Sequence, residues 1–282
     1  MSADAHALPI GAVRRAVERH RGAESLHIAD AVAEEIPVAF VYNGRPHAVM
    51  MATPADLDDF ALGFSLTEAI IAAPEECAKV DIVPALAGFE LRIAIPEARA
   101  AKLEERAREL TGRTGCGLCG AQTLDAAIRH PPPVREPASL DAAALRRALA
   151  QLQQRQTINV ATGATHAAAW ADHDGAIVLV REDVGRHNAL DKLIGAMLHR
   201  QLDVRGGFLL ITSRASFEMV MKAATAGIGV LAAISAPTAL AIALAQEADV
   251  ALIGFARADG YSVYTHAQRV HDATARPKES VS

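Results

Sequence analysis

Two of the three cysteines of this chain, Cys116 and Cys119, share the stretch Gly115-Cys116-Gly117-Leu118-Cys119-Gly120. The spacing brings both sulfurs within reach of one atom or of each other, and the flanking glycines let the backbone bend and a partner approach closely. Metal binding, redox exchange and sulfur carriage all use such a pair. A closed zinc site needs four ligands. The chain has no second CxxC, Cys77 is isolated, and His130, His166 or His187 would have to be recruited. A thioredoxin-like role expects the motif beside a strand in a βαβ unit, whereas Thr111-Gly112-Arg113-Thr114-Gly115 reads as a mobile loop. Such a loop suits sulfur carriage: a thiolate attacks a donor's persulfide, keeps the outer sulfur and passes it on, with Arg113 the nearest charge to favour the thiolate.

Three further stretches offer polar chemistry. The segment Arg181-Glu182-Asp183-Val184-Gly185-Arg186-His187-Asn188-Ala189-Leu190-Asp191-Lys192 is dense in charge yet flanked by apolar runs. It fits a solvated strand-to-helix turn and equally a set of buried ion pairs at a pocket edge. In Thr162-Gly163-Ala164-Thr165-His166-Ala167-Ala168 a zinc deaminase would carry His-x-Glu before its Pro-Cys-x-x-Cys. Here the order is reversed and Ala168 stands where that Glu would be, so His166 is expected as a pocket or core histidine. Last, Gly254 precedes Phe255, Ala256, Arg257, Ala258, Asp259 and Gly260, which together offer an aromatic face, a guanidinium and backbone donors suited to a guanine or pterin ring and its phosphates.

The elements that must position these residues follow from composition and pattern. With 282 residues, 51% hydrophobic content, a net charge of −5 and a mean hydropathy of +0.16, the chain can bury a sizeable core and carries no global field for a nucleic-acid backbone. Residues 1–10 lack a basic region followed by an apolar run, and the apolar region 227–255 is interrupted by polar residues and Pro237, so a cytoplasmic protein with no membrane span is expected.

Residues 1–30 are rich in Arg and Ala without a strong period and read as a loosely held arm. Ile36 to Tyr42, the turn Asn43-Gly44 and His47 to Met51 predict a hairpin. Thr53-Pro54 with Asp56, Asp58 and Asp59 predicts a helix start; Phe89 to Ile95 predicts a strand, and Pro96 opens a charged helix to about Leu110. Residues 1–130 thus form an N-terminal α+β subdomain ending in the CxxC loop.

Pro131-Pro132-Pro133 marks a linker, and Ser139 is placed to cap a helix to about Gln154. From 135 to 282, apolar runs at 177–180, 207–211, 230–234 and 250–255 alternate with helical stretches at 187–200, 217–226 and 237–248. That alternation predicts a three-layer α/β domain with a largely parallel sheet, binding ligands beyond the carboxyl ends of its strands. Arg181 to Asp183, Thr212 to Arg214, Ser235 to Pro237 and Phe255 to Arg257 would then crowd one edge.

Met51-Ala52-Thr53-Pro54 with Asp58, the Gly-framed CxxC, Gly163 to Ala168, Glu182 to Lys192, Ser213-Arg214-Ala215-Ser216-Phe217-Glu218-Met219, Lys222 and Ala236-Pro237-Thr238 occur in an order that resembles the FdhD/NarQ family of formate dehydrogenase accessory sulfurtransferases. The resemblance spans about residues 30 to 270. It implies an α/β fold with a three-layer cytidine deaminase-like mixed sheet and a smaller N-terminal α+β subdomain, acting as a homodimer. It also implies transfer of sulfur from a cysteine desulfurase to the bis(molybdopterin guanine dinucleotide) cofactor, carrying molybdenum or tungsten, of formate dehydrogenase. Cys116 is then the persulfide-bearing cysteine, Cys119 its helper, and Phe255 to Gly260 the cofactor-binding stretch, with Arg257 expected to act with Arg214 or Lys222 on phosphate. The competing expectation is a non-catalytic chaperone that binds molybdopterin or a guanine nucleotide and uses the CxxC for zinc.

Overall fold

A computed structural model describes residues 7–111, 129–135 and 138–272. Cys116 and Cys119, with the stretch around them, lie outside the described residues. The first elements are β1 (Ala12–Arg21) and β2 (Glu24–Ala33), an antiparallel hairpin paired over its whole length. This corrects the expectation of a loosely held arm. Val13 faces Val32 and Val17 faces Ile28 across the ladder, cross-strand pairs that the intervening arginines and alanines obscure in the sequence.

β3 (Ile36–Tyr42) and β4 (Arg45–Ala52) form the expected hairpin, with Asn43 and Gly44 both at positive φ, as a two-residue turn requires. They join β5 (Lys79–Pro84) and β6 (Phe89–Ala94) in the order β4-β3-β6-β5. α1 (Leu57–Thr67) packs Phe60 and Phe64 against Phe40 of this sheet, with ring centroids 5.0 and 4.2 Å away. The helix begins later than Thr53-Pro54 suggested: its N-cap is Asp56, in left-handed backbone, because the amide and hydroxyl of Thr53 are engaged by Asp183 and Val184. α2 (Glu97–Thr111) follows Pro96 as expected.

The proline run leads to Val134, which is buried and donates its N–H to Ala248 O at 2.9 Å. β7 (Leu140–Asp141) precedes α3 (Ala142–Arg155). Its cap is Asp141, accepting from Ala143 N, and not Ser139, because Leu140 and Asp141 pair with β14 (Val270–His271) and delay the helix. α4 (Thr157–Thr162) follows.

The large sheet contains β8 (His166–Asp172), β9 (Ile177–Asp183), β10 (Gly207–Ile211), β11 (Val230–Ala233), β12 (Ala251–Arg257) and β13 (Gly260–Val263), in the order β13-β12-β11-β10-β8-β9. It is mixed, not largely parallel. Only β10, β11 and β12 run parallel to their neighbours among themselves; β8 and β9 form a tight hairpin on one side, and β13 returns antiparallel on the other. A short turn between β8 and β9 leaves no room for the crossover a parallel pair needs. Since β9 lies two antiparallel steps from β10, it runs in the same direction. The carboxyl ends of β9 to β12 therefore meet at one edge, as the strand-end segments predicted.

Helices cover both faces. Leu209, Ile211, Leu231, Ala233 and Leu252 point toward α5 (Arg186–His199), α6 (Phe217–Thr225) and α7 (Ala239–Glu247), while Phe208, Leu210, Val230, Ala232 and Ile253 point toward α3. Burial on both sides is why these strands read as unbroken apolar runs. The first face shares one continuous core with α1 and the four-stranded sheet. α1 crosses α5 at two glycines: a Cβ on Gly63 would lie 1.8 Å from Asp191 O, and one on Gly195 would lie 1.9 Å from Asp59 O. Among the described residues, no helix is long and apolar enough to cross a membrane.

Candidate functional site

In the polar block that spans the end of β9 and the start of α5, Glu182, Asp183, Asn188, Asp191 and Lys192 are buried, which favours buried ion pairs over a solvated turn. Asp183 is fully buried and uses both carboxylate oxygens: Oδ1 accepts from Gly185 N and Asn188 Nδ2, Oδ2 from Thr53 N at 3.0 Å and from Lys192 Nζ at 2.6 Å. Lys192 also donates to Thr53 O, and Asn188 to Met51 O. Burial draws the Lys192 pKa below the ordinary lysine value, against the pull of Asp183. Glu182 turns the other way and accepts from the N–H groups of Ile158 and Asn159 and from the Thr165 hydroxyl, closing the amino end of α4. One short segment thus ties the end of β4 to the large sheet.

The second half of the block opens onto a pocket of about 270 Å³ between α1, α5 and α6. Lys222 of α6 donates to Asp191 (2.9 Å to each oxygen), Glu68 (2.8 Å) and Thr67 (3.0 Å), and lies 5.6 Å from the Phe64 ring centroid. Burial works to lower its pKa, but Asp191 and Glu68 together outweigh that and hold it above the ordinary lysine value. Burial alone would raise the Glu68 pKa; Lys222 and Arg129, the latter 2.6 Å away, more than offset it and the net shift is downward. One turn nearer the amino ends of the same two helices, α5 and α6, His187 Nε2 lies 2.8 Å from Glu218 Oε2, off the line of a good hydrogen bond. Burial lowers the His187 pKa, with Arg186 and Lys222 acting in the same sense and Glu218 opposing.

On the other face of the same sheet edge lies a larger cleft of about 510 Å³ between α3 and the ends of β8, β10 and β12. Gln153, Asn159, His166 and Thr212 contribute hydrogen-bonding groups, and Ala256, Arg257 and Ala258 form one wall. Phe255 holds a φ of 51° at a bulge in the β12–β13 ladder and is 43% exposed. Left-handed backbone is costly for a bulky residue, and it turns Ala256 inward and Arg257 outward at this rim. Burial, with Arg186 acting in the same sense and Asp183 opposing, lowers the His166 pKa, and the ring lines the cleft as a pocket histidine.

The expected site residues therefore separate. Ala256, Arg257 and Ala258 line the cleft, whereas Phe255, Asp259 and Gly260 belong to the exposed turn beside it. Lys222 cannot serve phosphate alongside Arg257: it belongs to the pocket on the opposite face and its ammonium is fully engaged by Thr67, Glu68 and Asp191. Arg214 is exposed on the loop after β10 and does not line the cleft. Pattern reasoning missed Thr67 and Glu68, since nothing local distinguishes two polar residues closing a helix, and it missed Gln153 and Asn159, which reach the cleft only because α3 and α4 lie over the sheet.

The fold places the chain among α/β proteins of known architecture. It matches the crystal structure of a chain from Desulfotalea psychrophila assigned to the formate dehydrogenase accessory proteins, with a TM-score of 0.72 and 22% identity over 93% of this chain and 100% of that one. The sequence pattern of the FdhD/NarQ family matches residues 33–271. The sulfur carrier protein FdhD of Xanthomonas campestris pv. campestris (strain B100) is 56% identical over 260 residues, 92% of each chain. That of Cupriavidus necator is 52% identical over 260 residues, 92% of this chain and 90% of the other. The chain belongs to the FdhD/NarQ family.

Proposed function

We propose that this protein carries sulfur for the maturation of formate dehydrogenase, taking it from a cysteine desulfurase and delivering it to a bis(molybdopterin guanine dinucleotide) cofactor that is its substrate. The observation that carries this proposal is the relationship, over nine-tenths of the chain, to proteins named as sulfur carriers, together with the CxxC pair at Cys116 and Cys119. In the transfer, the Cys116 thiolate attacks the outer sulfur of the donor's persulfide. A new S–S bond forms on Cys116, the donor's S–S bond breaks, and the donor cysteine leaves as a thiolate that takes up the proton lost by Cys116, with no net oxidation. Cys119 assists as the neighbouring thiol.

The cleft beside Ala256, Arg257 and Ala258 is of a size that encloses one ring system and not a whole bis-dinucleotide, so one guanine end of the cofactor is held there. Arg257 supplies the cation for phosphate, and Asn159, Gln153 and Thr212 offer hydrogen bonds to the base. The large mixed sheet with helices on both faces is read as cytidine deaminase-like, and the protein as a cytoplasmic homodimer.

Incubation with a cysteine desulfurase and cysteine, followed by peptide mapping under non-reducing conditions, tests the sulfur step. One added sulfur on the Cys116 peptide is expected, and Cys116→Ala abolishes activation of formate dehydrogenase. Added sulfur confined to any other peptide overturns the assignment. Stoichiometric zinc that is lost when either cysteine is replaced would favour the zinc-binding chaperone instead.

A further inference from the structure

The smaller pocket lies on the face of the sheet away from the cleft, and its lining sets a histidine among charged and soft apolar side chains. At about 270 Å³ it admits an amino-acid side chain and excludes a pterin dinucleotide. Met50, Phe64, Phe217 and Met221 give it soft, polarisable walls suited to sulfur. α5 and α6 both begin at it, with Arg186 and Phe217 as their first residues, so the positive ends of two helix dipoles favour an anion there. We propose that this pocket receives a thiol or persulfide and that His187 is its proton acceptor; the proposal rests on the sulfur-carrier reading above.

The charges around His187 are Glu218 and Lys222 of α6, Asp191 of α5, Glu68 at the end of α1 and Arg129 from the segment before the prolines, all on the pocket lining, together with the neighbouring Arg186. Most are already matched. Lys222 is matched by Asp191 and Glu68, and Arg129 by Glu68. Arg186 is different, because its buried Nε makes no hydrogen bond among the described residues. An incoming thiolate therefore meets two helix amino ends, with the Arg186 guanidinium near enough to His187 to act on its charge. Glu218, beside Nε2, stabilises the imidazolium that forms when Nδ1 accepts the proton. Burial lowers the His187 pKa and so favours the neutral ring, the form that can accept a proton. The S–H proton passes to His187, the thiolate attacks the outer sulfur of the persulfide, and the departing thiolate recovers that proton.

The sulfur comes from a thiol of this chain or from the donor's persulfide, and two pH profiles on the full-length protein separate these. The first is the rate of iodoacetamide alkylation of the Cys116–Cys119 peptide, in a Cys77→Ala background. The second is the single-turnover rate of sulfur transfer from a loaded cysteine desulfurase. His187→Gln is expected to slow transfer at pH 7 about 10²-fold and to move its acidic limb, with Glu218→Gln giving a smaller change in the same direction. An alkylation profile displaced to higher pH in His187→Gln identifies this chain's own thiol as the occupant; a displaced transfer profile with unchanged alkylation identifies the donor's persulfide. Unchanged profiles in both variants, in protein that still loads sulfur, overturn the pocket proposal while the sulfur-carrier reading stands. If wild-type protein loads no sulfur while alkylation still depends on His187, the reading fails and the thiol pocket remains.

Discussion

At the scale of single residues, Lys222 and Lys192 show how costly buried charge can be retained. Each ammonium is buried, each has a carboxylate within 2.9 Å, and each lies 5.6 Å from a phenylalanine ring centroid on α1. Removing one partner of such a pair leaves an uncompensated charge, at a cost of about 3–5 kcal/mol. Lys222→Met is accordingly expected to destabilise the protein by about that amount in urea unfolding, while Lys222→Met combined with Asp191→Asn recovers part of the loss. Equal destabilisation by the single and double variants would show that the pair contributes nothing as a pair. Asp191 and Lys192 were visible in the sequence as members of a charged block, but adjacency there gave no sign that one would pair with α6 and the other with the end of β9.

At the scale of elements, the crossing of α1 and α5 fixes where both lysines sit. Gly63 and Gly195 each lie against a carbonyl of the other helix, so the backbones approach more closely than any side chain allows. A Gly→Ala change inside a helix ordinarily gains about 1 kcal/mol in propensity. Here the new methyl group would overlap Asp191 O or Asp59 O, and Gly63→Ala or Gly195→Ala is expected to lower stability by about 1–3 kcal/mol through forced separation of the helices. Thermal melting of the two variants measures this, and a raised Tm in either would contradict the close packing. α1 was recognisable from its acidic first turn and apolar face. Its true start was not, because Thr53 is claimed by Asp183 and Val184 from far along the chain.

At the scale of the whole molecule, the two sites lie on opposite faces of one sheet edge, and their histidines link the fold to pH. Burial lowers the pKa of both His166 and His187 from the ordinary 6.5. The unfolded chain therefore binds protons that the folded chain refuses, so stability rises with pH through this window. It is complete above about pH 6.5 and is lost progressively as pH falls below it. Glu68, whose pKa lies below the ordinary 4.5, adds a further loss once pH falls beneath that value. On the alkaline side Lys222, raised above 10.5, contributes stability that is lost progressively as pH rises from about 10.5 through its folded value. Urea midpoints measured from pH 4 to 8 should fall on acidification below about 6.5, and more shallowly in His187→Gln; an identical profile in that variant would contradict the assignment.

The sequence alone determined the apolar strands of the large sheet, the helices between them, the hairpin at Asn43-Gly44 and the family resemblance, because burial leaves a local periodic imprint and a turn needs particular residues at particular places. It also determined that the carboxyl ends of β9 to β12 would share an edge. The tertiary structure decided that the sheet is mixed, that residues 12–33 form a paired hairpin, and that the polar block is buried rather than solvated. It also divided the site residues between two concavities, placing Ala256 and Arg257 with His166 on one face and Lys222 with His187 on the other. The physical reason is distance along the chain. Thr53 and Asp183 are 130 residues apart, and Lys222 and Thr67 are 155 apart. Such pairs carry no pattern of their own, and they form only where packing has already brought the elements together and offset the entropy of ordering them.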